Sequence, residues 1–155
     1  MAIERARAHL ARFGLDGAIR ELGTSIATVP LAAAALGTEP ERIAKTLSFL
    51  VDGTPVLVVT AGDAKVANAP FKARFGVKAR MVPGELVEEL VGHAVGGVCP
   101  FGVNEGVPVY LDESLRRFTT VFPACGSSTA AIELTIPQLA HVCGDAEWVS
   151  VCTTT

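Results

Sequence analysis

Two apolar runs joined by a short polar turn constrain the fold of this chain more than any other feature. Residues 43–51 read IAKTLSFLV and residues 55–61 read PVLVVTA, and the turn between them contains Asp52 and Gly53. Runs of this length and composition are typical of strands, and Asp-Gly between them favours a tight hairpin turn. The sequence therefore predicts a β-hairpin in this part of the chain.

Further helices and strands are expected on both sides of the hairpin, which predicts an α+β fold with a mixed sheet packed against helices. The alanine-rich segment 29–37 is expected to be helical, because Thr28 offers an N-cap, Pro30 suits the first turn and Gly37 suits the C-terminal stop. Helices are also expected at 3–13, 17–22, 68–75, 83–90 and 136–142. The other expected strands are 78–82, 107–111, 118–122, 130–134 and 147–151, followed by a frayed tail at 153–155.

The length and composition fit a single domain spanning residues 1–155. Half of the 155 residues are hydrophobic and 19% are charged, which excludes a disordered chain. A chain of this size buries about two thirds of its surface on folding, so its core needs no metal or disulfide. No apolar run approaches the roughly 20 residues of a membrane-spanning helix, and the first 13 residues do not have the pattern of a signal peptide.

The four cysteines, at positions 99, 125, 143 and 152, have neither CxxC spacing nor an accompanying pattern of His and Cys ligands. We therefore expect no metal site, reduced thiols and a cytoplasmic location.

Lys45 is the first candidate functional residue. In an extended strand it shares one face with Ile43, Leu47 and Phe49, which are all apolar. The opposite face of the strand is no more polar than a covered sheet surface. A lysine in this position either reaches water from an edge strand or lines a cavity where it meets an anionic partner. The pattern leaves both interpretations open.

The glycine-rich segment GGVCPFG, residues 96–102, is the second candidate. Its first two glycines allow backbone angles that side chains forbid, and Pro100 fixes the exit from the turn. Such a turn can direct the N–H groups of Gly97, Val98 and Cys99 into one concavity that binds a carbonyl oxygen or an oxyanion. A purely structural loop is the alternative.

Three further groups have weaker patterns. Cys99 lies six residues from His93, so the two could form a nucleophile and its base, but no Asn or Asp is evidently placed to orient the histidine. Asp112 stands at a strand end, where it can cap a turn. Residues 126–128, Gly-Ser-Ser, suit either the wall of a pocket or a hairpin loop.

A basic strip stands out against the net charge of −3. No acidic residue interrupts it, and it either contacts a phosphate backbone or forms a solvated face. The strip consists of Lys65, Lys72, Arg74, Lys78 and Arg80.

The order of these motifs resembles that of the YbaK/ProX-type aminoacyl-tRNA deacylases and of the editing domain inserted in many bacterial prolyl-tRNA synthetases. The resemblance covers roughly residues 20–143. It rests on the motifs Leu36-Gly37, IAKTLSFL, DGTPVLVV, Gly62-Asp63, FGVKARM, GHAVGGVCPFG, VYLDESL and ACGSS followed by IELT.

This resemblance implies a strongly curved mixed sheet surrounded by helices. It also implies hydrolysis of the ester that joins a wrong amino acid to tRNA, mainly tRNA for proline. The family's functional lysine matches Lys45, and its glycine-to-proline loop matches residues 96–100. The expected catalytic set is Lys45, Gly96, Gly97, Val98 and Cys99. The expected substrate contacts are Thr28, Pro100, Phe101, Asp112, Gly126 and Ser127.

The resemblance also implies roles and partners. Lys45 is expected to position the tRNA 3′ end through a phosphate or ribose, and the loop amides to hold the ester carbonyl; no cofactor is expected. Residues 24–28 lack the aromatic residue of the cysteinyl-tRNA-specific branch, which argues against a cysteine substrate. The GGVCPF form resembles that of the freestanding branches that act on small aliphatic residues. The acceptor end of a mischarged tRNA is the expected partner, presented by a prolyl-tRNA synthetase or an elongation factor to a monomer or homodimer, away from membranes.

Two other functions remain open at this stage. The same pocket could hold an aminoacyl-adenosine end or a free small molecule without turnover, as a binding module associated with a synthetase. Alternatively, Cys99 could act as the nucleophile of a thiol enzyme.

Overall fold

The computed structural model describes residues 2–154 and is built on a six-stranded mixed sheet. The strands are β1 Arg20–Glu21, β2 Ile43–Val51, β3 Thr54–Ala61, β4 Ala64–Val66, β5 Val109–Asp112, β6 Thr120–Pro123, β7 Ala130–Ala131, β8 Leu134–Thr135, β9 Glu147–Val149 and β10 Cys152–Thr154. The order in the main sheet is β8-β6-β2-β3-β5-β9, with β2–β3 and β6–β8 antiparallel and the remaining neighbours parallel. Two small two-stranded sheets, β1-β7 and β4-β10, accompany it.

The β2–β3 hairpin is confirmed and forms the centre of this sheet. Its strands pair from Val51 and Thr54 at the turn down to Ala44 and Ala61. Asp52 and Gly53 both have positive φ, 51° and 79°, which matches the right-handed twist of the flanking strands.

Among residues 2–154, five α-helices pack around the sheet, and their ends follow the local sequence. Thr28 caps α2, because its Oγ1 accepts a hydrogen bond from the Leu31 N–H, and Gly37 ends α2 in the left-handed conformation. At α5 the side chain of Thr135 and that of Gln138 form a reciprocal capping box. The helices are α1 Ala2–Ala11, α2 Val29–Leu36, α3 Asn68–Phe75, α4 Gly84–Val91 and α5 Ile136–Val142.

Both faces of β2 are covered by apolar side chains. On one face Phe49 packs with Phe71 of α3 and with Val151. On the other face Ala44 joins a cluster that includes Leu10 of α1 and Phe101. The strand is therefore buried on both sides, so a polar side chain on it needs a cavity or a path to water.

Four local predictions were wrong in detail. Residues 17–22 form a short 3₁₀ turn, Asp16–Ala18, followed by β1 rather than a helix. Residues 78–82 contribute one bridge, between Met81 and Phe49, instead of a full strand. The strand expected at 130–134 is divided between β7 and β8. The tail is not frayed through Thr154, because β10 pairs with β4; Thr155 lies outside the described residues.

Within residues 2–154, every helix is too short or too polar to cross a lipid bilayer. Over the same range, no group of three or more His, Cys, Asp or Glu side chains is placed to hold a metal ion.

Candidate active site

One cavity of about 480 Å³ lies between α2, the outer edge of β2 and the loop of residues 95–98. This volume falls within the range of small-molecule sites. Most of its wall is apolar, and Lys45 is the one charged residue among those that line it in the described part of the chain. The lining consists of Ile26, Ala27, Thr28, Val29, Ala32, Leu36, Ile43, Ala44, Lys45, Thr46, Leu47, Ser48, Met81, Val82, Gly84, Val87, Val95, Gly96, Val98, Phe122, Ala124 and Ala131.

The cavity exists because the outer edge of β2 is only partly covered. Strand β6 pairs with β2 at Ile43 and Ala44 and goes no further. At the other end of β2, Ser48 C=O accepts from the Val82 N–H, and the segment around Val82 covers the edge from there on. The strand edge at Thr46 is left without a neighbour, and the cavity occupies this gap.

Lys45 lines the cavity with its side chain half-buried. It makes no hydrogen bond or ion pair with any described residue. Asp63, an acid whose charge acts on Lys45, is already held by the Arg117 guanidinium at 2.5 and 3.0 Å. Burial lowers the pKa of the Lys45 amine, and the charge of Asp63 opposes that effect in part. The amine is therefore available to an anionic ligand.

The glycine-rich loop begins with a tight turn. The Gly97 N–H donates to the Ala94 C=O at 3.0 Å, and Gly96 has a φ of 93°, a value that favours glycine. Gly97 was expected to offer its amide to a ligand, but this bond already occupies that amide. The amides of Val98 and Cys99 have no hydrogen-bond partner among the described residues, but of the two only Val98 lines the cavity, so the expected set of three donors is reduced to one.

Gly126 and Ser127 support this turn instead of lining the cavity. A Cβ built on Gly97 would stand 2.9 Å from both N and Cα of Ser127 and 3.0 Å from the carbonyl carbon of Gly126. The two turns are thus packed backbone to backbone, and only a glycine fits between them. This contact fixes the position of the loop that contains Gly97 and Val98 relative to the cavity.

Cys99 is fully buried and does not line the cavity. Its Sγ lies 3.5 Å from His93 Nε2 and 3.5 Å from the Phe101 carbonyl oxygen. Burial raises the pKa of the Cys99 thiol to about 12 and lowers the pKa of His93. The pair is close, as expected for a nucleophile and its base, but both shifts disfavour the thiolate–imidazolium form, and the thiol has no access to the cavity.

Three other expected substrate contacts have different surroundings. Asp112 is buried, and its carboxylate accepts hydrogen bonds from the N–H groups of Ser114 and Val151, both at 2.9 Å. Phe101 is a fully buried core residue, and Pro100 borders a separate hollow beside α1. None of the three lines the main cavity. Thr28 does line it, with its hydroxyl already engaged in capping α2.

Two histidines that sequence reasoning did not assign to this role hold the end of the loop. The Phe101 carbonyl oxygen lies 2.6 Å from His93 Nε2, and the Gly102 N–H donates to His9 Nδ1 at 3.1 Å. Both polar groups of the peptide unit between Phe101 and Gly102 are therefore bound by imidazoles. The available signal for His93 was its position directly after Gly92 and shortly before the glycine-rich segment. Nothing in the sequence of α1 distinguished His9.

Thr46 was also missed, although it is adjacent to Lys45. It lines the cavity, and its Oγ1 is buried with no hydrogen-bond partner. An unpartnered buried hydroxyl is uncommon in folded proteins. No sequence pattern indicates it, because the gap at Thr46 depends on where two other segments stop pairing.

Only one side chain of the basic strip is engaged in an ion pair within the described part of the chain. Arg74 forms an ion pair with Glu147 and stacks over Phe75 and Tyr110. The other four side chains are exposed and form no ion pair among the described residues. They are Lys65, Lys72, Lys78 and Arg80.

Both sequence and structure comparisons relate this chain to aminoacyl-tRNA editing proteins. The sequence model of an aminoacyl-tRNA editing domain matches residues 24–142. An uncharacterised Bacillus subtilis protein, YwhH, is 46% identical over 98% of both chains. The Geobacillus kaustophilus proline–tRNA ligase is 30% identical over 65% of this chain, which corresponds to 18% of the ligase. A crystal structure described as a candidate trans-editing enzyme for prolyl-tRNA synthetase superposes with a TM-score of 0.88 at 30% identity, covering 98% of this chain and 97% of that one.

Proposed function

Because this chain belongs to the aminoacyl-tRNA editing domain family, we propose that it is a deacylase that hydrolyses the ester bond between a small amino acid and tRNA. The proposed substrate is a mischarged tRNA for proline, since the chain is similar to part of proline–tRNA ligases and to a candidate trans-editing enzyme for prolyl-tRNA synthetase.

One observation carries the proposal: an unpaired amine and a glycine turn followed by a free amide border the same apolar cavity. Lys45 and Gly96 both line it, and Val98 adds an amide that has no other partner. An aminoacyl-tRNA end presents a phosphate, an ester carbonyl and a small side chain within a few ångströms. Those three groups match a cation, hydrogen-bond donors and an apolar wall.

In the proposed mechanism Lys45 binds the phosphate or ribose of the terminal nucleotide and so positions the ester. The amide of Val98 binds the carbonyl oxygen and stabilises its negative charge as water adds to the carbonyl carbon. The bond from that carbon to the ribose oxygen then breaks, and the ribose oxygen takes a proton. A hydroxyl of the tRNA itself orients the water, because no described side chain in the cavity is a carboxylate or imidazole.

The size of the cavity selects the substrate. The cavity lining includes small and branched side chains, among them Ala32, Ala131 and Ile26. One methylene contributes only about 1–3 kcal/mol to discrimination in an apolar pocket. We therefore propose loose selection among small, uncharged amino acids.

The exposed part of the basic strip provides a surface for the acceptor stem. Four cations contact few phosphates, so a synthetase or an elongation factor that presents the tRNA in the cytoplasm fits this proposal.

The test is a panel of tRNAs charged with alanine, serine, cysteine or aminobutyrate and incubated with purified protein. We expect release of at least one amino acid by the wild type and near-complete loss with Lys45→Ala. Arg20→Ala is the control, since Arg20 is exposed and lies outside both the cavity and the basic strip. Binding of a non-hydrolysable aminoacyl-adenosine analogue without turnover of any tRNA would instead support a binding module.

A further inference from the structure

An aminoacyl ester carries an α-amino group that the cavity must accommodate. Within the described lining there is no Asp or Glu to pair with it, and the one charged side chain, Lys45, is a cation. Recognition of the α-amino group therefore depends on uncharged hydrogen-bond acceptors. A buried amine left without acceptors would weaken binding, because it would lose its hydrogen bonds to water.

The backbone of Thr46 offers such an acceptor at the open edge of β2. In an antiparallel pair, alternate residues direct their N–H and C=O groups away from the partner strand. Leu50 and Ser48 direct theirs away from β3, because the Leu50 N–H donates to Arg80 and the Ser48 C=O accepts from Val82. Thr46 has the same parity, so its N–H and C=O point to the same side, where neither β6 nor the segment around Val82 covers it.

The side chain of Thr46 adds a second acceptor. Its Oγ1 is buried and makes no hydrogen bond. Rotation about χ1 toward a ligand therefore breaks no existing hydrogen bond, and a new one removes the cost of leaving the hydroxyl unpartnered. The residue already lines the cavity next to Lys45.

We propose that Thr46 is the recognition site for the α-amino group of the substrate, with its carbonyl oxygen and its hydroxyl accepting that group's N–H bonds. This inference rests on the proposed deacylase function. It assigns the amino group to the edge of β2, the carbonyl to the Val98 amide and the phosphate to Lys45. The three groups of the aminoacyl end then have separate partners.

The experiment compares the best aminoacyl-tRNA of the panel with the same tRNA carrying the matching α-hydroxy acid, such as alanine against lactate. Each enzymatic rate is divided by the spontaneous hydrolysis rate of its ester, which removes the difference in intrinsic reactivity. For the wild type we expect a normalised preference for the amino ester of at least about tenfold, the value of one hydrogen bond to a charged group. Thr46→Val should lose most of this preference, and Thr46→Ser should retain it.

Thr60→Val is the matched control. Thr60 also has a buried Oγ1 without a partner, but it does not line the cavity, so its removal should leave the preference unchanged. Equal normalised rates for both esters with wild-type protein, or loss of the preference in Ser48→Ala but not in Thr46→Val, would overturn the inference while leaving the deacylase function intact. Absence of turnover on every ester would reject the deacylase function itself.

Discussion

Gly97 lies directly against Ser127, so close that a Cβ on Gly97 would stand 2.9 Å from the Cα of Ser127. These residues are 30 positions apart in the chain, and both belong to turns. The contact is between two backbones, which cannot move aside as a flexible side chain would. It therefore holds the loop that carries the Val98 amide in one position over the cavity.

Gly97→Ala should lower both stability and deacylation. The added methyl forces the two turns apart, and overpacking of this kind costs about 1–3 kcal/mol. Thermal unfolding and single-turnover deacylation would measure the two effects. Gly17→Ala is the control, since nothing lies within 4 Å of its Cβ position. Equal behaviour of the two variants would contradict the role assigned to the contact.

Lys45→Met should abolish activity and raise the melting temperature. The amine is half-buried without an ion-pair partner, and burial lowers its pKa, so its charge opposes folding. Its loss removes the group that positions the ester, for which we expect about a hundredfold reduction in single-turnover rate. A melting temperature below that of the wild type would show that Lys45 has a stabilising partner in solution.

Acid should destabilise the protein through His93 as the pH falls below about 6.5. Burial lowers the pKa of His93 in the folded state, so below its ordinary pKa of about 6.5 the unfolded chain binds more protons than the folded one. Stability is therefore lost as the pH falls through that value, by at most about 1.4 kcal/mol per pH unit. Urea unfolding at several pH values should show a smaller decline for His93→Gln. Parallel curves for the two proteins would assign the pH dependence to other groups.

Alkylating reagents should leave the native enzyme active at neutral pH. Burial raises the pKa of the thiols of Cys99, Cys143 and Cys152 to about 12, and that of Cys125 also rises. Mass spectrometry after brief treatment should detect little modification without denaturant and four modified cysteines with it. Cys99→Ala should keep most of the activity. Inactivation that correlates with alkylation of Cys99 would favour the thiol mechanism.

Arg80→Ala should weaken tRNA binding more than Arg74→Ala. Arg80 is exposed without an ion pair among the described residues, whereas Arg74 is engaged by Glu147. A lost phosphate contact reduces the slope of log K against log salt concentration by about one. Filter binding over a salt series measures that slope. A larger change with Arg74→Ala than with Arg80→Ala would place the tRNA on a different surface.

Local sequence determined the elements that depend on near neighbours. Three features depend only on residues within four positions of each other, so the sequence alone predicts them. They are the hairpin turn at Asp52 and Gly53, the cap at Thr28 and the stop at Gly37. Local alternation also predicted that Lys45 shares a face of its strand with Ile43 and Leu47, but it left open whether that face meets water or a cavity. The family resemblance pointed to the mixed sheet, and the comparisons confirm it.

Only the tertiary structure decided which groups face the cavity. Whether Asp112 lines a pocket or accepts bonds from Val151, whether Gly97 keeps a free amide, and whether Thr46 lies at an open strand edge all depend on segments distant in sequence. Such contacts follow from where strands stop pairing and how two loops pack. Short-range patterns carry no information about them, because the residues that make them meet only after the chain has folded.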